Sequence, residues 1–83
     1  MIEADALEHL VKGIVDHPDE VTVANKALRR GDLLEVTVRP DDLGRVIGRN
    51  GRTAKALRTV IGAIASEPVR VDVVDVDRGH SRR

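Results

Sequence analysis

The chain has 83 residues, with 14 Lys and Arg against 14 Asp and Glu, no cysteine, and no Phe, Trp or Tyr. So short a chain forms one domain that buries only about 60% of its unfolded surface, in a core of Val, Leu, Ile and Ala too small for a roomy substrate cavity. The absence of cysteine excludes disulfides and thiolate metal sites, and no apolar stretch is long enough to cross a bilayer, so the expectation is a cytoplasmic protein without a membrane partner.

Residues 4–17 place Leu7, Leu10, Val11 and Ile14 on one helical face, with charges opposite, and Pro18 stops the pattern. "VTVANKAL", residues 21–28, alternates at Val21 and Val23 and then slips out of phase at Ala24 and Leu28, as a bulged or edge strand does. "RRGD" at 29–32 is a turn signal, and residues 33–39 alternate Leu34, Val36 and Val38 with Glu35, Thr37 and Arg39, so the two strands form a hairpin. Pro40 ends the second strand; Asp41 and Asp42 supply an N-cap candidate and first-turn negative charge for a short helix, Asp42 to Ile47. Beyond the break "GRNG", residues 52–65 form a helix with Ala54, Leu57, Ile61 and Ile64 on one face and Arg52, Lys55 and Arg58 on a separate flank. Glu67-Pro68 closes it. Residues 69–76 read as a last strand, with Val69, Val71 and Val73 in phase before a slip at Val74, and 77–83 as a polar, disordered tail. The expected architecture is α+β: one domain over 1–76, in which three helices pack on one face of a three-stranded mixed sheet.

Zero net charge hides a polarised distribution. The first twenty residues carry Glu3, Asp5, Glu8, Asp16, Asp19 and Glu20 against Lys12 alone, whereas 44–58 carry Arg45, Arg49, Arg52, Lys55 and Arg58 and no acid. A neutral chain of this kind still attracts a polyanion, because the local field acts within a Debye length of about 8 Å. Gly48 and Gly51 stand between two helices, where positive φ and close backbone approach are needed. The opening amides of the following helix lack intrahelical partners and, with the helix dipole, favour an anion such as phosphate. Arg49, Asn50 and Arg52 add charge and donors, while Val46 and Ile47 are placed to wall a shallow groove for bases. Gly44 either permits close packing or backbone approach, or is merely tolerated in its helix.

Other chemistry finds little support. The glycines do not give the G-x-x-x-x-G-K-[ST] spacing of a P-loop, and Val46 stands where a Rossmann fingerprint needs its first glycine. His9, His17 and His80 do not cluster and read as surface residues, so no metal site, cofactor, acid–base pair or small-molecule substrate is expected, and no catalytic residue is assigned.

"VIGRNGRTAKALR" resembles the GXXG signature of the KH domain, with Gly48-Arg49-Asn50-Gly51 as the loop. The α-β-β-α-α-β order is similar to the type II KH fold. Over residues 2–76, including "RPDDLGRVIGRNGRTAKALR", the chain resembles the KhpA family of small bacterial single-KH RNA-binding proteins. That resemblance implies a clamp on about four single-stranded nucleotides, with loop amides on the phosphates and bases in an apolar groove. The implied RNA-binding residues are Gly48, Arg49, Asn50 and Gly51, with Val46 and Ile47 as apolar lead-in; Arg45, Arg52, Lys55 and Arg58 are the flanking cations. It further implies RNA chaperone activity, a homodimer, a heterodimer with a larger KH partner of the Jag/KhpB kind, and effects on cell elongation and envelope synthesis. Without aromatic side chains there is no stacking platform, so modest affinity and loose selectivity follow. Two rival readings stand beside this one. The first is a KH-like adaptor acting mainly by dimerising with a larger partner. The second is a helix-turn-helix reader of duplex DNA, for which residues 52–65 lack outward Asn or Gln.

Overall fold

Alternation of Leu34, Val36 and Val38 with polar residues makes β2 (Gly31–Val38) the central strand, and all three side chains are fully buried. The computed structural model describes residues 2–76, so the tail expected over 77–83, with His80, lies outside the described residues. β1 (Thr22–Leu28) pairs antiparallel with β2 from Thr22↔Thr37 to Leu28↔Gly31, closing through the two residues Arg29 and Arg30. β3 (Val69–Asp75) pairs parallel with β2 from Asp32↔Val69 to Val38↔Asp75, giving the mixed sheet β1-β2-β3. A parallel partner requires a crossover, and the chain supplies it with two helices, α2 (Pro40–Ile47) and α3 (Arg52–Ile64). α1 (Ile2–Lys12) lies over β1, α2 and α3 lie against β3, and α3 touches both other helices. The order is α-β-β-α-α-β, a type II KH arrangement with one helical layer on one sheet.

Leu7 and Val11 of α1, Val46 of α2, Leu57 and Ile61 of α3, and Val71 and Val73 of β3 close on the β2 valines. Each such buried aliphatic side chain contributes about 1.5–3 kcal/mol, the main support of a domain without aromatics.

Several local expectations are corrected. α1 ends at Lys12 rather than running to residue 17. Gly13 donates to the carbonyls of both His9 and Leu10, Val15 turns into the core, and the next two amides leave the helix for a partner on α2. Of the two options for β1, bulged or edge, it is the edge strand: its register with β2 is continuous and its residues are mostly exposed. The slip at Val74 leaves pairing with β2 unbroken, and Val74 is buried on the opposite face from Val73. Ile64 is 45% exposed rather than core-facing, because the last turn of α3 overhangs the apolar layer before the chain turns extended at Ala65.

Candidate nucleic-acid interface

α2 is too short to hold its own direction, since isolated helices below about 12–15 residues are marginal in water. Its anchors are Val46, wholly buried in the core, and Asp42, wholly buried among polar partners. The helix begins with Pro40 at its first position and Arg39 as N-cap, with no side-chain cap bond. Asp42 is therefore not the cap that its place after Pro40 suggested. Its Oδ1 accepts the amide of Asp16 at 3.1 Å, and its Oδ2 accepts the amide of His17 at 3.0 Å. The same Oδ2 lies 3.0 Å from His17 Nδ1, which donates because an ionised carboxylate only accepts. Burial alone raises the Asp42 carboxyl, but the Asp16 amide and the ring and amide of His17 outweigh it and hold the group below its ordinary 3.8. His17, expected as a plain surface residue, is half-buried in this contact.

The chain leaves α2 through a loop of unusual backbone. Gly48 (φ 79°), Asn50 (φ 57°) and Gly51 (φ 74°) all have positive φ. The two glycines serve different ends. A methyl group at Gly48 would overlap Thr53 Oγ1 and stand 2.7 Å from Thr53 Cβ and N, whereas at Gly51 it would meet nothing within 4 Å. Gly48 thus lets the loop fold back on α3, and Gly51 leaves backbone open on the outside. Asn is among the few non-glycine residues that tolerate the left-handed region, which accounts for position 50.

The amide bonds of this stretch modify the expected anion site. Gly48 donates to the carbonyl of Gly44 at 2.8 Å, Gly51 to that of Gly48 at 3.1 Å, and Arg52 to that of Arg49. The first amide of α3 is thereby already engaged. At the tip stand the exposed Arg49 and Asn50, whose guanidinium and carboxamide are donors, and no side chain caps α3. Donors of this kind, at a helix N-terminus and within a tight turn, suit an anionic oxygen.

The flanking side chains fall into two groups. Arg49, Asn50, Arg52 and Lys55 are exposed, and among the described residues the three cations enter no ion pair. Arg45, by contrast, pairs with Asp16 at 3.2 Å, and Arg58 Nε donates to the carbonyl of Val71 at 3.3 Å, tying α3 to β3. Val46 cannot wall a groove because the core covers it completely; only Ile47 of the two lead-in residues reaches the surface, half-buried. Gly44 is exposed with nothing within 4 Å of a methyl group placed there, so packing does not require it. Sequence reasoning missed Thr53, Asp42 and the 16–17 connection. Thr53, in a helix-start position, gave no hint of contact with Gly48, and the Asp42 bonds span 25 and 26 positions.

Comparison with known proteins identifies the family. The family model described as KhpA/KhpB, KH domain, matches residues 4–76. The RNA-binding protein KhpA of Streptomyces coelicolor is 74% identical over 73 residues, covering 88% of this chain and 92% of the relative. That of Leifsonia xyli is 67% identical, with 87% and 96% covered, and that of Mycobacterium tuberculosis 58% identical, with 93% and 96% covered. No solved structure matches the chain. With the element order, the glycine loop and these relatives in agreement, the chain belongs to the KhpA/KhpB family of KH domains.

Proposed function

We propose that this protein binds single-stranded RNA, gripping the phosphates of about four nucleotides at the loop Gly48–Gly51. The observation that carries the reading is the juxtaposition of an exposed positive-φ loop with Arg49, Arg52 and Lys55, all exposed and outside any ion pair among the described residues. The relatives named RNA-binding proteins support the same ligand class. The loop backbone positions the phosphates, the three cations steer and hold them, and bases lie toward Ile47. Arg45 and Arg58 act in a supporting role, because each already has a protein partner. The protein works by binding rather than catalysis, as a cytoplasmic RNA chaperone in post-transcriptional control of cell elongation and envelope synthesis.

The test is competition between single-stranded RNA and duplex DNA of the same sequence across a salt series. Three cation–phosphate contacts give a slope of log K against log salt of about −2 for a single strand. A clear preference for duplex would instead favour the helix-turn-helix reading.

Pairing with itself or with a larger KH protein is a second reading. Its supporting observations are the open edge of β1 and the exposure of Leu28, Val60 and Ile64. Mass in solution, with and without RNA, decides it; a strict monomer at high concentration counts against it.

A further inference from the structure

We infer that Asp42 is a positioning residue for the RNA-gripping loop: by tying the α1–β1 connection to α2, it fixes the direction in which α2 presents Gly48–Gly51. Its consequence for RNA rests on the binding reading above; its geometry does not.

The carboxylate is fully buried and serves residues far away in sequence. One oxygen takes the amide of Asp16, the other takes the amide and ring nitrogen of His17. One turn further along α2, Arg45 reaches back to the carboxylate of Asp16 at 3.2 Å. Residues 16 and 17 therefore hold two successive turns of α2. The helix has eight residues, about 12 Å of rise, and passes directly into Gly48, whose amide is bonded to Gly44 within it. A rotation of so short a helix is carried straight into the loop. Val46 fixes the depth of α2 in the core, but an aliphatic contact is not directional, whereas hydrogen bonds to two consecutive amides are. A carboxylate suits the place because all three partners are donors. An amide in its stead would turn an NH2 group toward one of them.

The experiment uses the whole chain as wild type, Asp42→Asn and His17→Ala. Its two readouts are amide hydrogen exchange and affinity for a fluorescein-labelled single-stranded RNA of mixed sequence. The reporting amides are Gly48, Gly51 and Arg52, which are internally bonded, with Leu34, Val36 and Val38 of the central strand as reference. In Asp42→Asn the loop amides exchange at least about fivefold faster relative to the β2 amides, and RNA affinity falls about tenfold. His17→Ala, which keeps both backbone bonds, shows a smaller change of the same pattern. The inference is overturned if the loop and β2 amides accelerate by one common factor, or if neither accelerates. Should Asp42→Asn not fold, His17→Ala decides by the same ratio. If the wild type does not bind the RNA, the binding reading fails, while the exchange ratio still judges the positioning role.

Discussion

Replacing Gly48 and Gly51 by alanine, one at a time, separates the two tasks that the loop glycines perform. At Gly48 (φ 79°, ψ 169°) the backbone lies where side-chain-bearing residues rarely go, a strain of about 1–3 kcal/mol. The added methyl also stands 2.7 Å from Thr53 Cβ and backbone N, so Thr53 or the start of α3 has to move, at a further cost of about 1–3 kcal/mol for overpacking. The sum, about 2–6 kcal/mol, is a large share of the roughly 4–12 kcal/mol expected for 83 residues. At Gly51 (φ 74°, ψ 14°) only the left-handed backbone is penalised, by about 1–2 kcal/mol, because nothing lies within 4 Å of the new methyl. With about 4–8 °C of melting temperature per kcal/mol at this size, Gly48→Ala falls by roughly 8 °C or more and Gly51→Ala by roughly 4–16 °C. Thermal melts of the two proteins, with RNA affinity measured well below both midpoints, check the argument. Under the proposed phosphate clamp, Gly51→Ala loses more affinity than its stability accounts for, since its methyl occupies the open side of the loop. A Gly48→Ala protein melting at or above Gly51→Ala would refute the steric distinction.

Two further outcomes follow from single sites. Gly44→Ala, in an exposed helical position with nothing within 4 Å, raises stability by up to about 1 kcal/mol, read from melting curves. The Asp42 carboxyl is held below its ordinary 3.8 in the fold, so its contribution is complete above about pH 4 and is lost as pH falls through the lower, folded value. Urea midpoints followed from neutral to about pH 2.5 therefore decline less steeply in Asp42→Asn than in the wild type.

The sequence exposes the fold wherever burial has a period. Leu34, Val36 and Val38 announce the central strand, and Ala54, Leu57 and Ile61 the face of α3 that packs, because a two-layer domain has one apolar side per element. The pattern weakens at edges and ends: β1 has little to bury, and Ile64 lies in an overhanging last turn. The loop is legible from its glycine spacing, but the division of its cations is not. Arg45 and Arg58 resemble Arg52 in sequence and differ from it only through Asp16 and Val71, neighbours supplied by the tertiary fold. Asp42 is hidden for the same reason. A carboxylate just after a proline reads as helix-start charge, and nothing local shows that the connection after α1 folds back onto it. Val46 errs in the opposite direction, an apolar residue beside a loop that the core claims entirely.

The central claim, that the Gly48–Gly51 loop grips the phosphate backbone, is tested most directly by the double variant Arg49→Asp, Asn50→Asp with both glycines kept. Both side chains are exposed, and aspartate tolerates the left-handed backbone of position 50, so the fold is undisturbed. The variant removes a cation and places two negative charges where the proposed clamp holds phosphates. By fluorescence anisotropy with single-stranded RNA, the account predicts an affinity lower by at least roughly tenfold, with an unchanged circular dichroism spectrum. A folded double variant that binds the RNA as tightly as the wild type would contradict it.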